Sequence, residues 1–257
     1  MARVALISGG SRGIGAAICE VLAREGADVA LFYRKDEEAA AAVVNAVEAL
    51  GRRAKAYQAD VQDLEGTGAA VGRVLDDFGG VDILVNNAGI ASRGQLVVDT
   101  EPSEVQRVLA VHAVGSFHLC RLLVPQLRDR GRGDIIFISS VATQSWGAHG
   151  APYNMGKAAV EALAKTLAHE EADNGIRVNV VAPGVVETEM GRRLIRATLN
   201  EEITQIGGRL PFGRVCQPED VAETVGFLCS DRSQYTTGQV IYIHGNVDGG
   251  VAQLAAH

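Results

Sequence analysis

The 257-residue sequence predicts an α/β fold: a doubly wound parallel sheet of about seven strands, helices on both faces, in a single domain spanning 1–257. Three observations carry this. Short β-branched or aliphatic runs alternate with longer helical patterns; a glycine-rich loop separates the first strand from the first helix; and no linker, repeat or composition break divides the chain.

The elements follow in order. Val4–Ile7 is the first aliphatic run, and helical periodicity near 14–25 follows its glycine loop. Val29–Phe32 reads as the second strand, followed by a helix near 36–50; Ala54–Gln58 is the third, followed by a helix near 64–78. Ile83–Val85, a long helical pattern at 103–129, Ile135–Ile138, an Ala-rich helix at 152–173, Arg177–Val181, a helix at 218–229 and Gln239–Ile243 complete the series. Right-handed crossovers put ligands beyond the carboxyl ends of such strands, so chemistry is expected where strands end.

Composition narrows the function. A net charge of -7 with signs mixed along the chain lacks the basic stripe of a nucleic-acid-binding surface. Cys19, Cys120, Cys216 and Cys229 are scattered, without metal-ligand spacing or disulfide density, and read as buried thiols in a reducing compartment. The amino terminus runs straight into a strand without a signal-peptide pattern, and no apolar run approaches membrane-spanning length; a cytoplasmic protein is expected.

Ser8-Gly9-Gly10-Ser11-Arg12-Gly13-Ile14-Gly15 lies between strand and helix, where glycines permit a tight turn and the helix N-terminus stabilises a pyrophosphate. The second strand ends Leu31-Phe32-Tyr33-Arg34-Lys35, without the carboxylate that would bind the ribose hydroxyls of NAD. Arg34 offers a planar fork for a 2′-phosphate, with Arg12 able to close from the other side, so NADP is favoured; the alternative is that Arg34 and Lys35 cap a solvated edge. Tyr153 and Lys157 fall one helical turn apart, which predicts an ammonium near the phenol, lowering its pKa toward a general acid/base.

Together these features resemble the short-chain dehydrogenase/reductase family, a Rossmann fold, over nearly the whole chain. The glycine loop matches its cofactor loop, with Ser8 where Thr is more frequent, and implies cofactor contacts from Gly9, Ser11, Arg12, Ile14 and Gly15. Asp60-Val61 resembles the pair that holds the adenine, Asn86-Asn87-Ala88-Gly89 the motif lining the cofactor, and Pro183-Gly184 with Val186 and Thr188 the nicotinamide segment. The catalytic serine maps to Ser140 rather than Ser139, whose side chain would point to the opposite side. The resemblance implies hydride transfer between nicotinamide and a carbonyl carbon, with Ser140 bonding the substrate oxygen, Tyr153 donating its proton and Lys157 holding the ribose.

One position departs from the family. His112 stands where many members carry an Asn that leads a water relay to the lysine. It is either a core histidine on the stripe Val105, Leu109, Ser116, Leu119, Leu123, or an imidazole that takes over the relay. The nearest group resembled is the 3-oxoacyl-[acyl-carrier-protein] reductases. Arg128, Arg130 and Arg132 suit an acidic carrier, whereas Asn174 stands where carrier-dependent relatives tend to have arginine, so a free ketone or a coenzyme A thioester is an equal expectation. Ser92–Gln95, Gln144–Gly150 and a lid at about 187–212 should surround the substrate, with Trp146 either walling it or packing between subunits. The family implies a homotetramer through the helices at 103–129 and 152–173, and the glycine-rich ending Asn246–Gly250 would reach a neighbour. The competing reading is a dinucleotide-binding sensor or scaffold that has lost turnover.

Overall fold

The computed structural model describes residues 2–246, so the ending at 247–250 lies outside the described residues. Seven parallel strands form one sheet: β1 (Val4–Ser8), β2 (Asp28–Tyr33), β3 (Ala54–Gln58), β4 (Ile83–Asn86), β5 (Gly133–Ile138), β6 (Ile176–Pro183) and β7 (Val240–Ile243). Their order is β3-β2-β1-β4-β5-β6-β7. Every residue of β1, β4, β5 and β6 is buried, because helices cover both faces of a parallel sheet and leave no polar side to alternate with.

Alternate side chains feed two cores. Ala5, Ile7, Val29 and Leu31 face α1 (Gly13–Arg24), α2 (Glu37–Ala49) and α9 (Pro218–Cys229); Leu6, Ala30, Phe32 and Leu84 face α3 (Leu64–Phe78), α5 (Gly115–Arg128) and α7 (Ala151–Glu171). Helices α4 (Pro102–Leu109), α6 (Ala142–Ser145) and α8 (Glu189–Leu199) complete the set. The strand order reverses between β1 and β4, and the crevice beyond their carboxyl ends is where such sheets bind ligands.

The long helix expected at 103–129 is interrupted. Ala110–Val114 forms a π turn between α4 and α5, with His112 at its centre. The extra residue rotates the buried stripe: upstream of the turn the buried side chains are Glu104 and Val108, not Val105 and Leu109, whereas Ser116, Leu119 and Leu123 are buried as expected. The run Pro102–Arg128 also corrects the reading of hydropathy, being long and apolar enough to cross a membrane. Half of its most apolar 18-residue stretch is buried, and Val108, Val111, Leu119, Cys120, Leu123 and Leu127 turn their apolar surface to the protein core.

The arginines before β5 are committed elsewhere. Arg128 makes a bidentate pair with Glu171, Arg130 with Asp82, and Arg132 pairs with Asp231. Asp82 immediately precedes β4 and Arg132 immediately precedes β5, so this cluster lies at the amino ends of the strands, opposite the crevice. It is a set of ties between elements, not a basic rim at the site mouth.

Candidate active site

The glycine loop is built for close approach. Gly9 has φ +63°, and a Cβ at Gly15 would lie 2.3 Å from the Gly9 carbonyl oxygen, so neither position accepts a side chain without opening the turn. Arg12 is the N-cap of α1 but its side chain makes no capping bond, which leaves the first amides of a 12-residue helix directed at the crevice. Ser11 and Ile14 are half-buried on this loop. Asn87 fastens the loop to the end of β4: its Nδ2 donates to the carbonyls of Ser8 and Gly9 at 2.9 and 3.0 Å. Ser8 Oγ in turn accepts from the amides of Asn87 and Ala88 at 3.0 and 3.1 Å, so serine supplies the needed hydroxyl oxygen here.

Opposite this loop stands the segment after β6. Gly184 donates its amide to the Ile243 carbonyl, Pro183 accepts from the Val141 amide, and Val186 is buried. Thr188 caps α8 through Gly191, and its Cγ2 would lie 3.2 Å from a Cβ at Gly13, so the two walls of the groove meet there. Asp60 closes a turn on Gln62, and Val61 packs under Gly115 beside the π turn. The loop and its free helix amides fit a dinucleotide, and Arg34 is exposed at the end of β2.

The arginine corner differs from expectation. Arg12 closes on carboxylates: Asp36 and Glu189, each at 3.2 Å. A carboxylate therefore does stand near the end of β2, two residues beyond Arg34. The signal was present in the sequence, since Asp36 precedes an alanine-rich helix and caps it by accepting from the Ala39 amide at 3.0 Å.

Ser140 follows β5 and Tyr153 and Lys157 lie in the first two turns of α7. Ser140 lies close enough to Tyr153 for its hydroxyl to lower the phenol's pKa. Ser139 points the other way, donating to Glu161 Oε1 at 2.6 Å. Lys157 is only 5% exposed and donates to the Ile138 carbonyl at 2.8 Å; its Nζ is 5.7 Å from the Tyr153 ring centre. The phenol pKa is raised, not lowered as the spacing suggested: burial dominates, and the neighbouring Ser140 hydroxyl opposes it only in part. Burial also lowers the Lys157 ammonium to about 8, with Glu161 pulling it back up.

His112 is buried and touches this group. Its ring stands edge-on to Tyr153, and its Nε2 lies 2.9 Å from both the amide and the carbonyl of Ile90. Burial, then the nearby Lys157 charge, lowers its pKa to about 3, so the imidazole is neutral; Nδ1 has no hydrogen-bond partner among the described residues. Gly89 sits between these groups, where a Cβ would be 3.4 Å from His112 Nε2 and 3.6 Å from Lys157 Nζ.

Around the site, Trp146 is 57% exposed with φ +47° and His149 has φ +64°, two left-handed residues in the loop leading into α7. Residues 187–212 carry α8 and short 3-10 turns, packed on a small core of Ile195, Ile203, Ile206 and Val215. The arginines of α8 are engaged with Glu187, Glu189 and Glu202.

A family model described as enoyl-(acyl carrier protein) reductase matches residues 9–252. The chain is 38% identical over 247 residues to the 3-oxoacyl-[acyl-carrier-protein] reductase FabG of Staphylococcus aureus, covering 96% of this chain and 98% of that one. Among solved structures, L-sorbose reductase from Gluconobacter frateurii, complexed with NADPH and L-sorbose, superposes with TM-score 0.88 at 32% identity over 95% of both chains. An NAD+-bound xylitol dehydrogenase superposes with TM-score 0.88 at 30% identity, covering 95% of this chain and 98% of that one.

Proposed function

The chain belongs to the short-chain dehydrogenase/reductase family, in its 3-oxoacyl reductase-like group, and from that premise we propose that it is an NADPH-dependent reductase of a ketone or 3-oxoacyl group, with Tyr153 as proton donor. The observation that carries this reading is the grouping of Ser140, which acts on the Tyr153 phenol, with Tyr153 and the buried Lys157 one turn apart on α7.

When bound, the nicotinamide supplies the hydride. Ser140 and Tyr153 hold the carbonyl oxygen, and Tyr153 releases its proton to that oxygen as negative charge develops there. A phenol whose pKa is raised by burial keeps its proton at neutral pH and so suits reduction. Lys157 has three donors; one serves the Ile138 carbonyl, leaving two for the ribose hydroxyls. His112, neutral beside both groups, is a hydrogen-bonding station near Lys157 in place of the family's usual asparagine.

Relatives of this fold bind either NADPH or NAD+, so cofactor choice rests on Arg34 and Arg12. We read 187–212 as the substrate lid and the substrate as a free ketone or coenzyme A thioester; the pairing of Arg128, Arg130 and Arg132 weakens the argument for an acidic carrier. Exposed Val114 and Phe117 on and beside α5 and Met155 on α7 support a homotetramer, and we take the protein to be cytoplasmic. Light scattering tests the tetramer.

The deciding assay follows NADPH absorbance with ketones, β-ketoesters and acetoacetyl thioesters, alongside NADH and Arg34→Asp. Turnover with NADPH that Arg34→Asp shifts toward NADH is expected. Tight NADPH binding with no oxidation across the panel would favour the sensor, and equal use of both cofactors by the native protein would overturn the role of Arg34.

A further inference from the structure

Glu161 lies on α7 one turn beyond Lys157 and two beyond Tyr153, on the same face of the helix. Its Oε1 accepts hydrogen bonds from Ser139 Oγ at 2.6 Å and from Thr143 Oγ1 at 2.7 Å. Those hydroxyls bracket Ser140, one at the end of β5 and the other in α6, and both residues are buried. A third hydroxyl extends the chain, since Tyr242 of β7 lies 3.2 Å from Thr143 Oγ1. A hydroxyl has one proton, and that of Thr143 has two acceptors in reach, Glu161 Oε1 and the Ser140 carbonyl at 2.9 Å; when it goes to the carboxylate, the oxygen accepts from Tyr242.

A carboxylate therefore grips both sides of the corner that presents Ser140. Bonds to an ionised acceptor are stronger than neutral ones, which suits a role in fixing that corner. The same negative charge faces Lys157, whose ammonium burial disfavours and Glu161 supports.

We propose that Glu161 is a positioning residue of this site: its carboxylate clamps the corner that aims Ser140 at Tyr153 and stands on the same helix face as the Lys157 ammonium. Its effect on turnover rests on the reductase reading above; the clamp itself does not. Glutamine separates the two parts, because its one carbonyl oxygen accepts both hydroxyl bonds while carrying no charge.

The test compares Glu161→Gln and Glu161→Leu with the native protein by amide hydrogen exchange at 139–143, NMR titration of the Lys157 amine, and the pH dependence of kcat and KM. Glu161→Leu should speed exchange at this corner by at least about tenfold and lower kcat by a similar factor, leaving KM for NADPH nearly unchanged. Glu161→Gln should keep exchange close to native, rescue most of kcat at neutral pH, and move both the Lys157 titration and the alkaline limb of the reduction profile to lower pH. Native exchange in Glu161→Leu, or a Lys157 titration unmoved in Glu161→Gln, would overturn the proposal. If Glu161→Leu does not fold, the titration in Glu161→Gln decides. A native protein without turnover would fail the reductase reading, while exchange and titration would still judge the clamp.

Discussion

The imidazole of His112 stands edge-on to the ring of Tyr153, with centroids 5.3 Å apart and planes at 82°. This contact arises because the π turn at Ala110–Val114 swings His112 inward, and Gly156 makes room for it: a Cβ there would lie 2.9 Å from Nδ1. The packing explains why the imidazole stays neutral. It also couples His112 to stability.

The folded pKa of His112, about 3, lies below its ordinary 6.5. Between those values the unfolded chain binds a proton that the folded chain refuses, so stability rises with pH through that window and is lost as pH falls below about 6.5, by up to about 1.4 kcal/mol per pH unit. Urea unfolding of the native protein and His112→Asn at pH 7 and pH 5 checks this. The pH dependence should be flatter in the variant, with neutral-pH turnover within about tenfold of native; a hundredfold rise would mean the imidazole obstructs the site.

Lys157 sets stability against function in the same direction of pH. Burial lowers its pKa from 10.5 to about 8, so between those values the unfolded chain holds a proton the folded chain releases, and cofactor-free stability rises with pH across that range. At neutral pH the buried ammonium costs on the order of 3 kcal/mol. Lys157→Met should therefore raise the melting temperature of the cofactor-free protein while lowering kcat by about a hundredfold or more. Calorimetry and the reductase assay on the same preparation test both directions.

Much of this was legible before the structure. Val4–Ile7 and Ile135–Ile138 are continuous apolar runs that only a two-sided sheet buries, and the glycine loop declares itself by its place between strand and helix. The choice of Ser140 over Ser139 came from the family pattern, and Ser139 turns its hydroxyl to Glu161. What escaped was three-dimensional. The π turn has no distinct composition, since Ala110-Val111-His112-Ala113-Val114 continues a helical pattern. The pKa of Tyr153 depends on burial that spacing cannot report, and the partners of Arg12, Asp36 and Glu189, lie 24 and 177 positions away.

Those partners set a prediction for cofactor choice. Arg12 is paired with Asp36 and Glu189, so a 2′-phosphate must compete with carboxylates for it. Asp36→Asn removes one competitor, and asparagine still caps α2. NADPH should bind a few-fold more tightly and NADH about as before, because both ion-pair partners are well exposed and each such pair is worth only about 1 kcal/mol or less. Fluorescence titration of both dinucleotides decides it; equal tightening of NADH would show that Asp36 acts on the groove rather than on the phosphate.

The two serines after β5 give the most direct test of the assignment. Ser140 lies beside Tyr153, and its Oγ accepts from the Ala142 amide at 3.2 Å. Ser139 is 2% exposed and spends its proton on Glu161. Ser140→Ala removes a donor aimed at developing negative charge and should lower kcat by about a hundredfold or more with little change in NADPH binding. Ser139→Ala leaves Thr143 still bonded to the carboxylate, so its loss of kcat should stay within about tenfold and be accompanied by lower thermal stability. The reverse order of the two effects would exchange the roles assigned to these neighbours, because alternation along the strand lets only one of them face Tyr153.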